Sequence, residues 1–102
     1  MEERAFSYEV SDESGRLVLH GDLDEGATVQ VRMLLKEITE GLTRDVTIDL
    51  GDVDLLPSSA VGVLANAQDT AAKQGAAVTF VAEDGTIAAR VLTICGLSYD
   101  VA

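Results

Sequence analysis

The chain is poor in cysteine, aromatics and positive charge: one Cys, two Tyr, two Phe, no Trp and seven Lys or Arg in 102 residues. A lone cysteine, Cys95, excludes an internal disulfide and any multi-cysteine zinc site. It closes an apolar stretch, Val91-Leu-Thr-Ile-Cys95, so a buried packing thiol is expected there rather than a nucleophile. With so few aromatics, Val, Leu, Ile and Ala must fill the core. No apolar run approaches the ~18 residues of a membrane helix. The start, Met1-Glu-Glu-Arg-Ala5, lacks the apolar centre of a signal peptide, and a cytoplasmic location is expected. Eighteen acids against seven bases give a net charge of −11. Such a surface repels phosphates, so no nucleic acid partner and no direct membrane insertion are expected. Partners with basic or apolar patches remain compatible, and the acids also keep a small protein soluble.

The apolar fraction of 47% is ample for a core, and the length suits one compact domain over residues 1–102. Phe6, Tyr8 and Val10 alternate with Ser7 and Glu9 as in a strand. Ser11-Asp-Glu-Ser-Gly15 reads as a turn, and Leu17, Val18 and Leu19 as a second strand pairing in a hairpin. Asp24 is placed to cap a helix whose apolar face is Ala27, Val31, Leu34, Leu35, Ile38 and Leu42, ending near Gly41. Val46-Thr-Ile-Asp-Leu50 is a third strand. The segment from Gly51 to Pro57 then reads as an acidic loop leading to a helix over about Ser58–Gln74. Ala77–Val81 is a fourth strand. Asp84 or Thr86 can cap a third helix carrying Ile87, Val91, Ile94 and Cys95.

The order β-β-α-β-α-β-α implies parallel neighbours joined by right-handed crossovers. Val46, Ile48 and Leu50 point one way, Thr47 and Asp49 the other. A sheet covered on both faces would carry continuous apolar runs. The expected class is therefore α/β, with a mixed four- to five-stranded sheet and helices mainly on one face.

Ser58 and Ser59 are the leading site candidates. The first N–H groups of a helix lack internal partners and carry partial positive charge, so a hydroxyl caps there and a phosphate is tolerated there. Capping alone would account for both serines. Ala60, Val61 and Gly62 leave the helix mouth unshielded, and Leu55 and Leu56 offer apolar surface beside it. Asp49, Asp52 and Asp54 could suggest magnesium, but a solvated acidic loop accounts for them, and no metal or other cofactor is expected. His20, the one histidine, is expected on the half-exposed face of the second strand. No Gly-x-Ser-x-Gly elbow, dinucleotide or phosphate-loop glycine pattern is present, so an enzyme is not expected.

The run Asp52-Val-Asp-Leu-Leu-Pro-Ser-Ser-Ala-Val-Gly-Val-Leu64, with Gly21-Asp-Leu-Asp24 upstream and Arg90-Val-Leu-Thr-Ile-Cys-Gly-Leu97 downstream, resembles the STAS domain family over nearly the whole chain. That family includes bacterial anti-sigma factor antagonists. Its typical motif, Asp-Ser-Ser-Gly-Leu-Gly, is phosphorylated on the first serine, which aligns with Ser58. Pro57 stands where the family usually has Asp, and Ala60 where it has the first Gly. The resemblance implies an antagonist that binds an anti-sigma factor with serine kinase activity while unphosphorylated. Phosphorylation of Ser58, with Ser59 as second choice, would release it, and transcription would be regulated indirectly. A serine phosphatase is a further implied partner. The implied contact residues are Asp22, Leu23, Asp24, Leu56, Pro57, Ser58, Ser59 and Val61. The alternative is an unphosphorylated accessory subunit of a lipid-transporting ABC complex, which Pro57 and Ala60 suit slightly better. A nucleotide- or lipid-sensing module is a weaker third reading.

Overall fold

A computed structural model describes residues 4–11 and 15–101. The expected turn at Ser11–Gly15 falls mostly on residues 12–14, outside the described residues, as do residues 1–3 and 102. The elements are β1 (Ser7–Ser11), β2 (Arg16–Asp22), α1 (Glu25–Ile38), β3 (Val46–Leu55), α2 (Ser58–Lys73), β4 (Val78–Ala82), α3 (Ile87–Ile94) and β5 (Asp100–Val101). The strands form one sheet in the order β1-β2-β3-β4-β5. β1 runs antiparallel to β2, and every other neighbouring pair is parallel. The short tail supplies β5 as an edge strand.

Alternation decides where the core lies. Leu17 and Leu19 of β2 and Val46, Ile48 and Leu50 of β3 are buried in one cluster with Val31 and Leu35 of α1, Leu64 of α2 and Leu92 of α3. The intervening Arg16, Val18, His20, Thr47 and Asp49 are only partly covered. All three helices therefore pack on one face of the mixed sheet, as the alternation implied.

The structure corrects three expectations. First, β3 does not end at Leu50. It continues to Leu55, so the acidic segment is strand and not loop. The pairing with β2 shifts register between Val18/His20 and again between Gly21/Asp22, giving two bulges. Gly51 sits in the first bulge, where its N–H donates to Asp49 Oδ1 at 2.9 Å.

Second, α3 presents a different face to the core. It buries Ala88, Ala89 and Leu92, while Ile87 and Ile94 are 56% and 77% exposed and Val91 is half-buried. Third, Cys95 is exposed, not a buried thiol, because it lies on that outward stripe at the helix C-cap. The α3 N-cap is Thr86, whose hydroxyl accepts from Ala89 N–H.

α1 starts as the sequence implied, with Asp24 Oδ1 accepting from Ala27 N–H at 2.8 Å. It stops at Ile38, before Gly41, and Leu42 reaches the core from a left-handed backbone conformation with φ 65°.

Gly21 marks a close approach. Its φ is +82°, and an added Cβ would lie 2.4 Å from the Ala5 carbonyl oxygen and 2.9 Å from that of Arg4. The Arg4 carbonyl also accepts from Asp22 N–H at 3.1 Å. Gly21→Ala should therefore cost at least the ~1–3 kcal/mol of a strained backbone, more if residues 4–5 must lift away. Urea unfolding measures this, and a variant as stable as the parent would contradict it.

Candidate functional site

The C-terminal ends of β2 and β3 lie side by side, because Leu23 N–H donates to the Leu55 carbonyl at 3.0 Å. The turns that follow deliver Asp24 and Pro57 as the N-caps of α1 and α2. Two helix mouths thus share one edge of the sheet, where α/β folds commonly place sites. This juxtaposition brings Asp22–Asp24 together with Leu56–Ser59, which lie far apart in sequence.

Ser58 and Ser59 are the first two residues of α2, and both are exposed. They do not cap it, contrary to the simplest reading of the sequence. Pro57 holds the cap position with an extended backbone, φ −70° and ψ 162°, and offers no side-chain hydrogen bond. Its carbonyl accepts from the N–H groups of Ala60 and Val61. Neither serine hydroxyl has a hydrogen-bond partner among the described residues. A cap aspartate would place a negative charge at this point and occupy helix N–H groups. The proline ring brings no charge, and its carbonyl leaves the N–H groups of Ser58 and Ser59 without a partner among the described residues, so an anion on Ser58 would meet open N–H donors and no adjacent cap carboxylate.

Of the other residues expected to touch a partner, Asp22 is half-buried, Asp24 is exposed and Pro57 is half-buried. Leu23, Leu56 and Val61 are buried in the core beneath the helix mouths. Leu23 and Leu56 are the last apolar residues before their helices and anchor the turns. Val61 lies on the inward side of α2. Leu55, 48% exposed, supplies the apolar surface instead.

The acids of β3 serve the uncovered face of the sheet. Asp49 pairs with Arg16 at 2.6 Å, and Asp52 and Asp54 both pair with Arg4, at 2.7 and 3.1 Å. No group of three or more His, Cys, Asp or Glu among the described residues is arranged to hold a metal ion. Arg4 was missed in the sequence, because nothing in its spacing connects it to β3.

His20 joins the same cluster. Its Nδ1 lies 2.6 Å from Asp52 and its Nε2 2.7 Å from Glu9. Only an imidazolium donates from both nitrogens. The hydrogen bond to Asp52, then that to Glu9, raises the His20 pKa above its ordinary value. Hydrogen bonds from Arg4 and then His20 hold Asp52 well below the usual carboxylate range.

The raised histidine contributes stability fully below its unfolded pKa of ~6.5 and loses it as pH rises through the folded value. The depressed aspartate contributes above ~3.9 and loses its contribution as pH falls. The cluster is therefore strongest between about pH 4 and 6.5. His20→Asn should lower Tm more at about pH 5.5 than at about pH 9. An equal loss at both would refute the assignment.

On the helical side, an open groove of about 470 Å³ runs between α1 and α2. Leu35, Leu42, Val63 and Ala67 form apolar parts of its wall, and Arg32, Lys36, Ser59 and Asn66 its polar ones. The available sequence signal was two cations four residues apart in a strongly acidic chain.

A family model described as “Mlab, STAS domain” matches residues 6–98, and the chain belongs to the STAS family. Its fold is similar to the anti-sigma factor antagonist SpoIIAA in its unphosphorylated form, with a TM-score of 0.72 and 19% identity over 96% of this chain and 88% of that one. The phosphorylated form of the Bacillus protein SpoIIAA gives a TM-score of 0.67 and 20% identity over 96% and 91% of the two chains. An anti-sigma factor antagonist from Mycobacterium paratuberculosis gives a TM-score of 0.73 and 19% identity over 95% and 85%. At these identities the likeness establishes the fold. Among the described residues no helix is long and apolar enough to cross a membrane.

Proposed function

We propose that this protein is an anti-sigma factor antagonist that works by binding. With Ser58 unmodified it holds an anti-sigma factor that is also a serine kinase, and so frees a sigma factor. Phosphorylation of Ser58 ends the binding. The kinase supplies the catalytic residues, the ATP and the metal; this chain supplies the acceptor hydroxyl.

The observation that carries the reading is the state of Ser58: exposed, first in α2, its hydroxyl without a hydrogen-bond partner among the described residues. A hydroxyl engaged as a cap would be a poor acceptor. Membership of the STAS family and the likeness to antagonists solved with and without phosphate add support. The surface around Ser58 is formed by Ser59, Pro57, Asp24, Asp22 and Leu55. A phosphate adds about −1.5 to −2 charges and three acceptor oxygens. Inside the domain the α2 mouth accommodates it. At a close interface the same group brings bulk and a charge that the partner must desolvate.

Affinity purification from the native cells, followed by mass spectrometry, tests this. A co-purifying anti-sigma factor with kinase activity, released on adding ATP, supports the switch. A membrane permease with its ATPase, retained with or without ATP, would instead make the chain a transporter subunit and refute it.

A further inference from the structure

We propose that the groove between α1 and α2 is a binding site for a small phosphomonoester with an apolar body. The site does not depend on the switch at Ser58.

Charge is the first argument. Arg4, Arg16, Arg44 and Lys73 each pair with a carboxylate. None of the remaining three cations has a carboxylate partner among the described residues, although the chain carries eighteen acids; Arg90 stands apart on α3, and the other two are Arg32 and Lys36. They are exposed and stand four residues apart on α1, so both project from one face of the helix and repel each other. Both line the groove. An anion bound between them would relieve that repulsion, and two cations suit a dianionic phosphate better than a single carboxylate.

The remaining lining completes the chemistry. Ser59 and Asn66 of α2 line the groove with polar side chains that have no hydrogen-bond partner among the described residues and are able to donate to phosphate oxygens. Leu35, Leu42, Val63 and Ala67 offer apolar surface for the body of the ligand. The volume lies within the ~300–1,000 Å³ of small-molecule sites.

Gly62 keeps the groove open. It is a helical residue lining the groove, and a Cβ built there meets nothing within 4 Å. Its φ is not in the left-handed range, so neither backbone conformation nor packing calls for glycine at this position. A larger residue would raise helix propensity and fill the space.

Phenyl phosphate is the probe, followed by amide resonances in a 1H–15N NMR titration of the full chain. Saturable shifts centred on Gly62, Val63 and Asn66 are expected. Arg32→Gln combined with Lys36→Gln should weaken binding by about tenfold or more. Gly62→Leu should abolish binding while the Tm stays level or rises, which separates a blocked groove from an unfolded protein. Inorganic phosphate and benzyl alcohol, each with half of the chemistry, should bind more weakly than phenyl phosphate. The proposal is overturned if shifts are absent or lie elsewhere, or if either variant binds like the parent. Inorganic phosphate or benzyl alcohol binding as tightly as phenyl phosphate would overturn it equally.

Discussion

Ser58→Asp is expected to weaken binding of the anti-sigma kinase at least about a hundredfold, a change of about 2.8 kcal/mol, while Ser58→Ala binds like the parent. The two variants differ in what they bring to the interface. Alanine removes a hydroxyl that has no hydrogen-bond partner among the described residues, so little is lost. Aspartate places a full negative charge at the α2 mouth, where a partner packing closely on Pro57 and Ser59 would have to strip its water.

The same substitution should be harmless to the fold. An acid in the first turn of a helix gains ~0.3–1 kcal/mol from the unpaired N–H groups, and residue 58 is exposed. Isothermal titration with the purified partner, alongside thermal unfolding of each variant, separates the two effects. Equal binding by both variants would sink the switch. Parallel losses of binding and Tm would mean that Ser58 acts through the fold.

Phe80→Ala is expected to cost ~3–5 kcal/mol, a large part of the ~5–15 kcal/mol that holds a domain of this kind together. Phe80 lies in β4 and is fully buried. The other aromatics cannot substitute for it: Tyr8 is exposed, and Phe6 and Tyr99 are only partly buried. Its neighbours in the core are Leu, Val, Ile and Ala, whose short side chains cannot extend into the space a phenyl ring leaves. The expected fall in Tm exceeds ~12 °C, and urea unfolding should show the loss at unchanged m. A loss below ~1 kcal/mol would mean that the site collapses onto the alanine.

Strand parity was legible because β2 and β3 present one covered face and one uncovered face. The Asp24 cap and the limits of α2 were legible from local chemistry. β3 beyond Leu50 was not, because Gly51, Asp52 and Asp54 have the composition of a loop. Hydrogen bonding to β2 and ion pairs with Arg4 and His20 keep them in a strand. Periodicity could not orient α3, whose eight residues are apolar nearly all round; the core received Ala88, Ala89 and Leu92, two of them small enough for the helix to approach closely. That choice also turned Cys95 outward. At the site, Ser58 and Ser59 were found by type and position, but their role as caps was displaced by Pro57, which ends the turn from β3 in the cap conformation. The groove was hidden because its two walls are brought together only when α1 packs beside α2.

The bulge at Gly51 also determines where β3 can change length. Leu50 and Val53 are buried, and Asp52 is exposed opposite His20. Removing Gly51 would leave the alternation unbroken: Leu50 in, Asp52 out, Val53 in, with His20 still facing Asp52. Removing Ile48 instead would turn Asp49 into the core and Leu50 out of it, because a one-residue slip exchanges the two faces of a strand. Insertions and deletions thus have a permitted place in this strand, at a residue with no side chain. Length variation among relatives should collect there, while the frame of the strand on either side stays in phase.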